Sequence, residues 1–269
     1  MKRMILTGLL AIGVGAMCLM AQGAPPKGQP AAAPKGQPPG APKGPAPKSQ
    51  GEVDALMALQ AAGSDPDKAI AAAEALITKF ADTDFKGIAL YIEADAYERK
   101  GDFNRMEIFA ERVLETDPKD FRAALMLAKH YATHTGANDL DREEKLAKGE
   151  KFANQVIEMM KTLPKPNAGI TDEQWADVRK DSTAEAYSSI GLGNLTRKKY
   201  DAAAAAFKSA VEANSRPEPA YMVRLASALQ MAGKNEEAAT WCDKVLATPD
   251  VHPQIKQLAT QIKANATKK

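Results

Sequence analysis

His130 and His134, four residues apart in the run HYATH, are the first place where this chain could do chemistry. That spacing puts both imidazoles on one face of a helix. Asp139, Asp141 or Glu143 just downstream could then complete a small metal site. The run lacks the glutamate of HExxH, so no metalloprotease signature is present, and the pair reads more simply as solvated or hydrogen-bonded imidazoles. Gly191-Leu192-Gly193 has two glycines of a dinucleotide fingerprint, but the third is missing and no strand precedes it. No phosphate loop and no nucleophile elbow occurs. His252 stands alone beside Pro253 at the entry to a last helix. These absences predict a protein that is not an enzyme and imply no cofactor.

The elements that would position such residues follow a pattern of side-chain sizes. Counted from Ala184, Tyr187 falls at 4, Ile190 at 7, Gly191 at 8, Tyr200 at 17, Ala203 at 20, Phe207 at 24, Ala210 at 27 and Val211 at 28. A large residue at 4 with small ones at 8 and 20 lets two short helices approach closely, while 24 fills the gap. Glycine costs about 1 kcal/mol against alanine in a helix interior, so Gly191 signals close approach of backbones. The pattern resembles the tetratricopeptide repeat, a helix-turn-helix unit of 34 residues.

One unit cannot bury its own apolar face, and further copies are found in the same frame. From Gly87 the frame gives Leu90, Ala94, Tyr97, Gly101, Phe103, Val113, Leu114 and Pro118, with Met106 and Ala110 exchanging large for small at 20 and 24. From Pro219 it gives Leu225, Ala226, Leu229, Gly233, Ala238, Cys242, Val245 and Leu246. From Phe121 the first helix reads Leu127, Ala128 and Tyr131, but the second resumes only at Gly149, Ala153, Val156 and Ile157, after an insertion. Upstream, Leu56, Leu59, Ala69, Ala73 and Leu76 fit a degenerate first hairpin, with Asp65 as cap and Pro66 at the first helical position. Ile255, Leu258, Ala259 and Ile262 mark a terminal helix that covers the open end. Thr171 and Gln174 form a capping box, with Ile170 and Trp175 as its apolar staple, predicting a long helix that runs on into Tyr187 and Leu195.

The expected fold is therefore all-α, an α-solenoid of about five helical hairpins (51–86, 87–120, 121–163, 170–218, 219–250) and a capping helix (252–267). No strand-like alternation is present.

Two segments precede this body. Residues 1–23 have a basic start, an apolar stretch from Met4 to Met20, and small residues ahead of a cut before Ala24, which reads as an export signal. An uncleaved membrane anchor is the alternative. Met17 before Cys18 argues against lipidation. Residues 24–50 hold nine prolines, four lysines and no acidic or aromatic residue, the composition of a disordered tether. Lys27, Lys35, Lys43 and Lys48 keep it solvated or touch an anionic envelope polymer.

Two of the 36 basic residues lie in 1–23 and four in 24–50, leaving 30 against 34 acidic residues in the body. That mild acidity argues against a nucleic-acid partner. Loss of residues 1–23 leaves Cys242 as the one cysteine, so no internal disulfide forms. Its core position predicts a buried thiol.

The resemblance assigns function to the first-helix face of each hairpin, at positions 2, 5, 6, 9, 12 and 13. These are Tyr91, Asp95, Glu98 and Arg99; Arg122, Met126, Lys129 and Thr133; Ser188, Ser189, Leu192 and Leu195; and Arg224, Ser227 and Gln230. The surface is mixed, with an apolar middle. Relatives that clamp the carboxylate of a chaperone tail use lysines and asparagines there, and the asparagines are missing here. The expectation is an exported, periplasmic or secreted scaffold that holds a peptide or a partner helix. The rival readings are a metal- or ligand-binding accessory protein using His130 and His134, and a wall-bound spacer acting through its tether.

Overall fold

The computed structural model describes residues 45–166 and 169–268. The export signal and most of the expected tether lie outside the described residues. Among the described residues there are eleven α-helices and no strand. None of these helices is long and apolar enough to cross a membrane. The chain divides into two compact units, residues 1–109 and 110–269.

The first unit contains α1 (Gln50–Ala61), α2 (Pro66–Lys79), α3 (Lys86–Lys100) and the start of α4 (Phe103–Thr116). Each start is set locally. Ser49 accepts the Glu52 N–H ahead of α1, and Asp65 accepts those of Asp67 and Lys68 ahead of α2, where Pro66 needs no partner for an amide it lacks. Leu56, Leu59, Ala73, Leu76 and Ala89 bury a common core between α1, α2 and α3. Tyr97 stacks on Phe109 at 5.3 Å, with the Arg105 guanidinium 4.7 Å from its ring centre.

The second unit holds the end of α4 and then α5 (Phe121–His134), α6 (Arg142–Thr162), α7 (Asp172–Thr196), α8 (Tyr200–Ala213), α9 (Pro219–Met231), α10 (Asn235–Ala247) and α11 (Pro253–Ala266). From α5 onward consecutive helices pack on each other, and α5 also reaches α7, as α9 reaches α11. Short connections make such neighbours antiparallel.

Two close approaches carry this packing. A Cβ on Gly191 would lie 2.5 Å from the Phe207 ring, so α7 and α8 meet only because that position is bare. A Cβ on Gly149 would lie 2.7 Å from the Tyr131 Cβ, the same device between α5 and α6. Phe207, Leu225, Ala226, Ala238, Cys242, Val245, Ala259 and Ile262 share one buried cluster, so α11 closes the core instead of trailing from it.

Two local readings change. The insertion after α5 is mostly helical: α6 starts at Arg142 and runs 21 residues, leaving a loop of only 135–141. Glu143 and Glu144 suit the positive end of the helix dipole, and Leu146 is buried. Second, the body reaches further toward the N-terminus than Gly51, because Ser49 caps α1 and Lys48 is bound by the folded body. The early turns of α7 pack, as their apolar staple favours. Both halves of the Thr171–Gln174 capping box are made, and Trp175 is buried edge-on against Phe121 at 6.0 Å, with its Nε1–H donating to the Leu163 carbonyl.

Candidate functional site

The residues expected to face a partner fall in both units and are taken unit by unit. In the first, Tyr91 is 6% exposed, a buried ring more than a surface one. Asp95 pairs with Arg99 at 2.9 Å, the i,i+4 spacing that brings them together on α3. Arg99 also donates to the Ser64 carbonyl at 2.6 Å, tying α3 to the loop between α1 and α2. Glu98 is half-buried on the same helix. Asp95 and Arg99 thus help to hold α3 against the preceding hairpin.

In the second unit Arg122 behaves the same way. Its guanidinium grips Asp120 through two nitrogens, at 2.5 and 3.1 Å, while Asp120 caps α5 by accepting the Arg122 and Ala123 N–H groups. Met126 is buried, Lys129 half-buried, and the exposed Thr133 donates back to the Lys129 carbonyl.

The open surface lies further along, on α7 and α9. Arg224 donates to the buried Ser188 hydroxyl at 2.7 Å and sits 6.0 Å from the Tyr221 ring centre. Burial pushes the Tyr221 phenol well above its ordinary range, and Glu185 adds to the effect, so this ring stays protonated and neutral. Ser189 turns back onto its own helix, donating to the Glu185 carbonyl. Leu192 and Leu195 rest half-buried against the C-terminal core. Ser227 and Gln230 are half-buried on α9, and Met231 follows them at 54% exposure. Met231 was missed from sequence, although it stands at position 13 of the frame from Pro219.

This arrangement can bind: it offers apolar area, hydroxyl and amide hydrogen-bonding groups, and one positioned guanidinium. His130 and His134 do stack, at 5.0 Å between ring centres. Their expected acidic companions are engaged elsewhere. Asp139 accepts the Gly136 N–H, Asp141 pairs with Lys145 at 3.1 Å, and Glu143 pairs with Arg197 at 3.0 Å. Among the described residues no three His, Cys, Asp or Glu side chains gather as metal ligands would. Cys242 is fully buried, and burial pushes its thiol up.

Residues 191–252 match the sequence profile of the tetratricopeptide repeat family. Among curated proteins, no sequence matches the chain. Solved structures similar to it include two TPR proteins. One is a thermophilic TPR protein of Thermus thermophilus, at 18% identity and TM-score 0.49, over 78% of this chain and 98% of that one. The other is the TPR domain of P58(IPK), at 13% identity and TM-score 0.31, over 80% of this chain and 64% of that one. The profile match spans α8, α9 and α10, where Gly191, Phe207, Ala226 and Cys242 interlock in the order the size pattern demands. Over residues 191–252 the chain is thus similar to the tetratricopeptide repeat family, and the helices before that stretch use a comparable close approach at Gly149 against Tyr131.

Proposed function

We propose that the chain is a non-enzymatic protein-interaction scaffold, exported to the cell envelope or beyond, whose α7 and α9 faces receive an extended peptide or a partner helix. One contrast carries the reading. Arg122, Asp95 and Arg99 are engaged by neighbouring groups of this chain, whereas Leu192, Leu195, Ser227, Gln230 and Met231 are left part-open on α7 and α9. Met231 and the leucines supply area to bury, and Ser227 and Gln230 fix register through hydrogen bonds. The export part of the proposal rests on residues 1–23, and a tether over 24–47 sets how far the body stands from its point of attachment.

Photo-crosslinking tests it in the native envelope, with the crosslinking side chain at Gln230 or, as control, at the exposed Lys208 of α8. The expected result is one discrete protein adduct from position 230 and none from 208. Equal adducts from both, or none from 230, would remove this face as the binding surface.

A further inference from the structure

The N-terminal end of α1 is held by more than a helix cap. Lys48 Nζ lies 3.1 Å from an Asp84 carboxylate oxygen and 3.4 Å from one of Asp82, and it also donates to the Asp82 carbonyl. Four residues on, Glu52 is 1% exposed, an expensive place for a carboxylate without partners. It has two. One oxygen accepts the Lys48 N–H at 2.6 Å, and the other accepts the Thr83 hydroxyl at 2.5 Å. Thr83 is itself oriented, since its oxygen accepts the Phe85 N–H at 3.1 Å. Ser49 completes the set by accepting the Glu52 N–H at 3.2 Å.

These bonds join segments more than thirty residues apart in sequence, the entry to α1 and the loop between α2 and α3. We infer that residues 82–84 form a latch that grips the chain at Lys48 to Glu52. The N-terminal segment is thereby fixed to the second hairpin helix and its loop, and not to α1 alone. The chemistry is divided between two layers. Outside, the Lys48 ammonium meets two carboxylates in water, an interaction that salt screens. Inside, the Glu52 carboxylate is shielded and takes two donors, one from each side of the latch, so loss of either donor leaves buried charge short of a partner. A pull on the N-terminal segment reaches the α2–α3 loop before it can unwind α1. Such an arrangement suits the N-terminal tether proposed above. It depends only on residues 48–85 and is independent of the partner-binding face on α7 and α9.

Limited trypsin digestion of the full chain reads the latch directly, because Lys48 must leave Asp82 and Asp84 to enter the protease. Cleavage after Lys48, followed by the mass of the core that begins at Ser49, is expected to be on the order of tenfold slower in the parent than in a variant combining Asp82→Asn, Thr83→Val and Asp84→Asn, with the same helical circular dichroism. Equal rates in two folded proteins would overturn the latch. Should the variant not fold, amine acylation of the unmodified protein gives the same answer. Lys48 is then expected to label several-fold more slowly than Lys208, which has no such pair of carboxylates. Labelling of Lys48 as fast as Lys208 would overturn it equally.

Discussion

Phe207 occupies the space that Gly191 leaves bare, and each residue makes sense only beside the other. The ring is fully buried, so truncation removes apolar contact and leaves a cavity that α7 and α8 cannot close. Phe207→Ala is therefore expected to cost about 3 to 5 kcal/mol of stability. Tyr200 shares the same hairpin but is half-buried at the start of α8, so Tyr200→Ala should cost less, on the order of 1 to 2 kcal/mol. Urea unfolding of the two variants checks both the size and the order. A Phe207→Ala protein as stable as the parent would mean that the frame counted from Ala184 is wrong. Arginines show where residue identity misleads. Arg122 stands at a position that the repeat count marks as a candidate contact, yet its guanidinium is paired with Asp120 two residues earlier. The local run Asp120-Phe121-Arg122 carried that signal, and counting positions in a repeat passes over it.

Among elements, α6 departs most from a plain hairpin. Its two extra turns give α7 something to hold: Arg197, with its side chain 9% exposed, bridges Glu143 and Glu150 at 3.0 Å each. Hydrogen bonding from Arg197, with help from Arg142, holds the Glu143 carboxyl below the ordinary carboxylate range. A carboxyl whose folded value is depressed adds stability above its unfolded pKa and loses it as the pH falls through the folded one. Arg197→Met is thus expected to lower the urea midpoint most near neutrality, with the gap to the parent narrowing as the pH falls through and below the ordinary carboxylate range. A gap that stays constant with pH would assign Arg197 to packing alone. The start of α7 was fully legible, because Thr171, Gln174, Ile170 and Trp175 are all local signals. The early start of α6 was not, because Arg142 to Glu150 is mostly charged and Leu146 is its one strong apolar marker. Arg197 lies some fifty residues away, too far for spacing to reveal the bridge.

For the molecule as a whole, the interlocking of large and small residues was readable because such contacts lie between consecutive helices or between first helices of adjacent hairpins, close enough for a repeat frame to relate them. Hence the all-α architecture, the hairpin order and the closing role of α11 follow from the sequence. The site was legible only in part. Helix positions choose a face, but whether a side chain on that face turns outward or is taken by a neighbour depends on contacts such as Asp120 to Arg122 and Ser188 to Arg224. What remains part-open is a short polar and apolar row on α7 and α9, ending at Met231.

A partner held by this row, and not by the opposite side of the hairpins, would leave its mark on a few apolar side chains. Methyl NMR of the isotope-labelled protein, titrated with the protein captured from position 230, reads them without mutation. The methyl signals of Leu192, Leu195 and Met231 are expected to shift while those of Val211 on α8 and Leu246 on α10 stay in place. Shifts at Val211 and Leu246 with Met231 unmoved would contradict binding at the row.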